Sequence, residues 1–494
     1  MGMSDGKHRT RLGLMSNSET TTPPEPSLVT VRKPLGWLVI GLAWPVLVQQ
    51  FLILSVALYD QFLAGNNPPE DPTLHIGHQA AQTTANYISW FISSASALVS
   101  VGGTALVARF VGAGERDRAN RVANQSLALA FVFGIIGTPL ALFALPWAVH
   151  ALGLRDETAW SAVQFLQPIF FLVTFQLLEQ SAIACLVGAG DTRTGPFVLG
   201  GVALLNIPMA WTCFHGFGPI PGMGFYGIGM GTALSHACGS LTVLGVLLVG
   251  RHGLRLRGAD LWPDFPLIYR ILRISLPASV DTLSIGLCQL WFLSLVNALG
   301  NVAATAHGTA IRCEGLGYMS GQAFATAASA LVGQNLGAKR PHEAARSARV
   351  ALLFGCVTMS LMGVLFFTFA PAMFHFFSPH AHQQPVVDAG VPILRLVAFA
   401  MPPLSAIIVL TGVLRGAGDT RFPILLSWIG FLAIRLPIAY LLTRDQLDLG
   451  AGIIIPGWNL GLFGAWLAMF ADLMVRGALF VWRFTSGRWK TVRV

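Results

Sequence analysis

The sequence predicts an all-α integral membrane protein of twelve transmembrane helices, arranged as two six-helix pseudo-symmetric lobes. Three observations predict it. Of 494 residues, 54% are hydrophobic and 11% charged, against about 25% charged in an ordinary soluble domain, so the chain lacks the polar surface that water demands. The apolar residues fall in blocks of roughly 20 to 28, the length that crosses ~30 Å of hydrocarbon as a helix. Finally, several stretches of the first half return in the second.

In order along the chain, the blocks place spans near 36–63, 84–110, 122–149, 160–187, 196–214 and 225–250, then near 268–299, 303–332, 347–377, 386–413, 422–443 and 458–483. The 53 Gly and 28 Pro are compatible with helices in lipid, where neighbouring helices re-satisfy freed backbone groups and small residues permit close approach. The join between the seventh and eighth spans is short and runs through Gly300–Asn301. Residues 1–33 are polar and contain Ser, Thr and Pro without an apolar core. That excludes a signal peptide and predicts a disordered cytoplasmic tail. The expected organisation is therefore a tail 1–33, an amino-terminal lobe 34–250, a cytoplasmic linker 251–267, a carboxy-terminal lobe 268–485 and a terminus 486–494.

The net charge of +9 does not mark a nucleic-acid-binding protein. Its basic residues gather on alternate loops, among them Arg109, Arg116, Arg118 and Arg121, then Arg251, Arg255 and Arg257, then Lys339, Arg340 and Arg346. The intervening loops hold only Arg155 and Arg444. Lys and Arg accumulate on the cytoplasmic side, so both termini are expected in the cytoplasm of a multi-pass plasma-membrane protein. The six Cys sit singly within spans and predict buried thiols, neither disulfides nor metal ligands. His375, His380 and His382 lack metal-ligand company. No phosphate-binding Walker loop or hydrolytic triad is present, so the chain reads as a non-enzyme.

The repeat is specific. Thr104-Ala-Leu-Val-Ala-Arg-Phe-Val-Gly-Ala113 returns as Ser329-Ala-Leu-Val-Gly-Gln-Asn-Leu-Gly-Ala338. Gly188-Ala-Gly-Asp-Thr-Arg193 returns as Gly416-Ala-Gly-Asp-Thr-Arg421, and Asn206-Ile-Pro208 corresponds to Arg435-Leu-Pro437. Six spans per half is an even number, so corresponding helices cross in the same sense. Parallel repeats of this kind place a cavity between two lobes and suit alternating access.

Leu186-Val-Gly-Ala-Gly-Asp-Thr192 and Leu414-Arg-Gly-Ala-Gly-Asp-Thr420 resemble the paired signature of the multidrug and toxic compound extrusion family. Leu331-Val-Gly-Gln-Asn-Leu-Gly-Ala338, with Glu343-Ala-Ala-Arg346 after it, is similar to that family's loop after helix eight. The resemblance covers roughly 33–493. It implies a secondary active antiporter that exports lipophilic or cationic drugs or toxins in exchange for H⁺ or Na⁺. The partners implied are a small cationic or lipophilic substrate and the bilayer, with no cofactor beyond the coupling ion, no nucleic acid and a monomeric state. A lipid-linked precursor flippase and an exporter of an endogenous metabolite or organic anion remain the alternatives.

The repeated loops themselves read as structural. Gly188, Gly190, Gly416 and Gly418 let the chain turn, and Asp191 or Asp419 can cap the next helix with Thr192 or Thr420 following. Gly333 and Gly337 belong to the same class.

Acids within spans are costly and mark function. They are Asp60, Glu179, Asp281, Glu314 and Asp472. Asp60 lies fifteen residues after Pro45, so ~22 Å along the helix axis. This arrangement resembles the family's first helix, whose Asp implies a coupling-cation site. Proton uptake would neutralise it, and release to the cytoplasm would restore a charge that attracts a cationic substrate. The competing reading has Asp60 hydrated and inert at the outer interface. Asn206 resembles the family's Asn in the fifth helix and could hydrogen-bond Asp60 or lend its carbonyl to Na⁺. One branch of the family carries a second acid one turn later, where this chain has Ala210. Another uses an acid in helix ten, where Leu404 stands. With one strong carboxylate and few companions, H⁺ is favoured over Na⁺. Asp281, Glu314 and Glu179 are candidates for a substrate or secondary cation site, each with a structural ion pair as the alternative. Asp472 is expected to pair with Arg476 four residues on.

Overall fold

The computed structural model describes residues 34–66, 72–151, 156–219, 221–377, 384–448 and 454–492. The expected tail 1–33, Arg155, His380 and His382 lie outside the described residues. The first half comprises α1 (Leu35–Asn66), α2 (Pro72–Gly112), α3 (Arg116–Ala151), α4 (Asp156–Phe171), α5 (Val173–Ala189), α6 (Thr194–His215) and α7 (Phe225–Val249). The second comprises α8 (Phe265–Asn297), α9 (Asn301–Gly337), α10 (Pro341–Phe377), α11 (Gln384–Ala417), α12 (Arg421–Trp428), α13 (Leu436–Thr443) and α14 (Gly461–Thr485). A π-helical segment, Ile429–Arg435, joins α12 to α13 in one continuous crossing. A small antiparallel ribbon, β1 (Gln446–Asp448) with β2 (Ile454–Pro456), follows α13.

Among the described residues twelve crossings result, in two lobes. Ten helices are long and apolar enough to span a bilayer by themselves. The fourth crossing differs from the single straight span expected over 160–187. It is broken between α4 and α5 with a bend of 55°. Pro168 cannot donate to the helix ladder, and its ring crowds the turn before it. The remaining crossing, α9, is rich in Gly, Ala, Ser and Thr and carries Arg312 and Glu314. Its small residues let α1, α2, α10 and α11 pack around it, while Arg312 stays exposed. Gly300, at φ 103°, makes the short α8–α9 turn.

Each lobe has its own apolar core. Leu106, Leu166, Leu186 and Ile228 lie in the first, and Phe292, Phe366, Met401 and Trp466 in the second. A third cluster bridges them, where Val39, Leu42, Ala43 and Val46 of α1 meet Ala328, Leu331, Val332 and Val413.

The end of the bundle carrying the repeated loops, here the motif end, is where the lobes close. A Cβ at Gly112 would strike the backbone of Gln334, and one at Gly337 the backbone of Arg109, so α2 and α9 touch main chain to main chain. Gln334 Nε2 donates to Gly188 O at 3.0 Å, and Gly333 faces Ala108. Farther in, Ser275 Oγ accepts from Gly102 N at 2.8 Å, and Ser94 and Ser279 exchange hydrogen bonds at 2.7 and 2.8 Å. Ser279 lies fourteen residues into α8, ~21 Å from its start. The carboxy-terminal segment joins the closure, with Val492 O accepting from Arg109 Nη1 at 3.1 Å.

The linker 251–267 is stitched to α3. Asn120 and Asn124 accept from Arg255 N and Arg257 N at 2.6 and 3.0 Å, and Gln125 donates to the carbonyls of Asp260 and Trp262. All six Cys are free.

Candidate functional site

Within the first lobe, three helices bring polar side chains to one place. Asp60 on α1 is 4% exposed, so the reading of a hydrated interfacial acid does not hold. Thr232 Oγ1 on α7 donates to Asp60 Oδ2 at 2.7 Å, and Asn206 Nδ2 on α6 donates to Thr232 Oγ1 at 3.0 Å. Asn206 thus reaches the acid through the threonine. Oδ1 of Asp60 and Oδ1 of Asn206 are both buried without a hydrogen-bond partner among the described residues. A carboxylate in such surroundings is stable only when it carries a proton or meets a cation. The arrangement can therefore take up and give back one positive charge.

Local packing is tight at the position one turn after Asn206. A Cβ at Gly231 of α7 would strike the backbone of Ala210, so α6 and α7 are in backbone contact where a second carboxylate would otherwise stand.

One turn along α7, His236 Nδ1 lies 2.7 Å from Glu179 Oε2 of α5. Glu179 therefore sits beside the Asp60 group in the same lobe. Asp281 and Glu314 belong to the other lobe. Asp281 pairs with Arg415 Nη2 at 3.1 Å, and Glu314 is half-buried on α9.

The second lobe carries a buried ionic cluster at the corresponding depth. Arg476 binds Asp472 through Nε and Nη2 at 2.5 and 2.6 Å, and Arg435 binds it through Nε at 2.8 Å. Arg435 Nη1 also donates to Gln289 Oε1 at 3.3 Å. Both guanidinium carbons stand 4.5 Å from the centre of the Phe431 ring, a face suited to cations. Arg435 ends the π-helical segment, an irregularity frequent where side chains must be re-aimed.

At the motif end, Gly190 and Gly418 adopt φ of 100° and 85°, which favours glycine. Asp191 accepts from Arg193 N and Thr194 N at 3.0 Å each and from Thr194 Oγ1 at 2.5 Å, capping α6. Arg251 Nε donates to its other side at 3.0 Å. Burial pushes the Asp191 carboxyl up, but Thr194, Arg251 and His252 outweigh it and hold the group below the usual carboxylate range. Asp419 is instead gripped by Arg483 Nη2 at 2.6 Å. Thr192 and Thr420 are buried beside them.

A family model described as MatE matches residues 45–212 and 277–441. The chain belongs to the MatE family. The matched blocks fall one in each lobe, and the resemblance to multidrug and toxic compound extrusion transporters is borne out. A probable multidrug resistance protein NorM of Thermotoga maritima is 26% identical over 473 residues, 94% of this chain and 95% of that protein. The multidrug resistance protein MdtK of Pectobacterium atrosepticum is 26% identical over 453 residues, 90% and 93% of the two chains. Among solved structures, a MOP superfamily transporter from Pyrococcus furiosus, described as having a binding pocket of reverse polarity, superposes with a TM-score of 0.84 at 19% identity. It covers 94% of this chain and 100% of that one. An outward-facing multidrug resistance MATE family transporter gives a TM-score of 0.82 at 19% identity, over 94% and 100%.

For this MatE chain, sequence reasoning missed Thr232, His236, Arg415 and Gln289. Thr232 and His236 stand four apart in an apolar span, and that spacing puts both on one helix face. It was the available signal.

Proposed function

We propose that this MatE family member is a secondary active antiporter that sends lipophilic organic cations out of the cell in exchange for protons. The observation that carries the reading is the buried Asp60 carboxyl, hydrogen-bonded by Thr232, with Asn206 behind it and one oxygen left over. Drug resistance in the names of the T. maritima and P. atrosepticum relatives supports the substrate class.

In this reading the motif end is cytoplasmic, as the Lys and Arg of its loops favour, and both termini lie on that side of the plasma membrane. Lobes closed at that end correspond to the outward-facing half of the cycle. Asp60 takes its proton there, the lobes rock, and the proton leaves to the cytoplasm. The bared carboxylate then favours entry of a cationic substrate. Asp281 and Arg415 on α8 and α11, with Glu314 on α9, line the carboxy-terminal side of the path. The chain works as a monomer, since each copy holds both lobes.

The test is ethidium transport in everted vesicles. Asp60→Asn is expected to abolish proton-driven ethidium movement while the protein still reaches the membrane. Undiminished pumping by that variant overturns the mechanism. Replacing the proton gradient by a Na⁺ gradient in the wild type identifies the ion.

A further inference from the structure

Within its described helices the amino-terminal lobe buries two acids, Asp60 and Glu179. Glu179 is 0% exposed and its partner His236 is 17% exposed. Glu179 Oε2 meets His236 Nδ1 at 2.7 Å, while Oε1 has no hydrogen-bond partner among the described residues. That free oxygen is pressed against Gly239, where a Cβ would overlap it, with Val202 closing the other side. Glu179 is thus enclosed in the lobe, and His236 is the more exposed of the two partners.

A contact of 2.7 Å between an imidazole nitrogen and a carboxylate oxygen holds a proton between them. The same bond survives in two states. With a neutral imidazole donating, the pair carries net charge −1; with one more proton on the imidazole, it is neutral. In general an uncompensated charge is costly in a dry interior and less so in a wet one. Any opening that wets the pair makes the charged state accessible. The hydrogen bond is kept in both states, so the geometry accommodates one proton or two.

Its position ties it to the coupling group. Thr232, which holds Asp60, and His236 are four residues apart on α7, ~6 Å along the axis and on one face. Among the described residues, the charged or titratable groups that face His236 are Glu179 from α5 and Asp60 from α1, which lies within its electrostatic reach. On either side of His236, α6 contributes Asn206 at Thr232 and Val202 at Gly239, while Phe165 and Pro168 of α4 lie nearer the start of α7, against Gly229.

We propose that the Glu179–His236 pair is a second proton-carrying site, so that each cycle brings in two protons for one monovalent organic cation sent out. One proton rides on Asp60 and one on the pair. Two positive charges enter and one leaves, so the exchange moves one net charge inward and responds to the membrane potential. This rests on the antiport reading above and fixes its stoichiometry.

The experiment uses the full-length chain in proteoliposomes with ethidium as the probe, a fixed pH difference, and a potential set by potassium and valinomycin. For the wild type, making the proton-receiving side more negative is expected to change the steady ethidium ratio about tenfold for each ~60 mV. Glu179→Gln and His236→Gln are expected to lose that dependence and to shift the pH profile of exchange. Wild-type exchange that ignores the potential overturns the inference and leaves the antiport reading standing. So does a full potential response in either variant. If a variant does not fold, the wild-type potential response decides by itself. Absence of any proton-linked ethidium movement in the wild type overturns the antiport reading and the second site together.

Discussion

Asn206 and Arg435 stand at equivalent places in the two halves, each two residues before a proline, and each reaches the last helix of its own lobe. Asn206 bonds Thr232 of α7, and Arg435 bonds Asp472 of α14. The outcomes are opposite. One residue serves a lone carboxyl, while the other belongs to a group of two guanidiniums and one carboxylate. The duplicated scaffold thus holds a buried carboxyl with one unpartnered oxygen in one lobe and an ionic cluster in the other.

The hydroxyl of Thr232 is the link between Asn206 and Asp60. Thr232→Ala is expected to slow proton-coupled ethidium transport at least tenfold, and Thr232→Ser to restore it. Removing a hydrogen bond to a buried charged group costs about 1.5–3 kcal/mol. Initial rates in proteoliposomes at fixed pH difference provide the measurement, and equal rates for the Ala and Ser variants would count against the link.

The Asp472 cluster is expected to be structural. Asp472→Asn leaves Arg435 and Arg476 buried without their counter-charge, a loss of about 3–5 kcal/mol. Replacing all three by apolar residues of similar size is expected to recover most of that stability. Thermal unfolding in detergent, followed by thiol-reactive dye, separates the two variants.

Gly112 and Gly337 permit the backbone contact between α2 and α9. Gly112→Val is expected to hold the motif ends apart and to expose the face of Ala108 and Gly333. A cysteine at position 108, protected from a hydrophilic maleimide in the parent, becomes reactive in that variant. Unchanged protection would show that the seam does not depend on the glycine.

Asp191 gives a pH signature. Its carboxyl is held below its ordinary value, so its contribution to stability is complete above about pH 3.9. That contribution disappears as the pH falls through the lowered folded value. Wild-type protein in detergent is expected to lose thermal stability below about pH 4 more steeply than Asp191→Asn. At neutral pH the variant is the less stable of the two. Parallel curves would mean that the cap carries no such linkage.

The crossings and the repeat were legible because both rest on local pattern, namely apolar length and recurring loops. Asp60 was legible as a lone acid in a long apolar block. The break between Phe171 and Val173 was not, since Pro168 inside a membrane helix is compatible with an unbroken span. Asp419 resembled Asp191 in sequence, yet its partner Arg483 comes from α14, which no local pattern foretells. Thr232 and His236 were hidden for the same reason. In a glycine-rich span they read as packing residues, and their partners lie 172 and 57 positions away.

The stitching of residues 251–267 along α3 has a mechanical corollary. The tether between the halves cannot act as a slack rope, because Asn120, Asn124 and Gln125 fasten it as far as Asp264. The fastening runs on into α8, since Asp264 also accepts from Leu267 N at 3.2 Å and caps that helix, so the first turn of α8 is carried with the amino-terminal lobe.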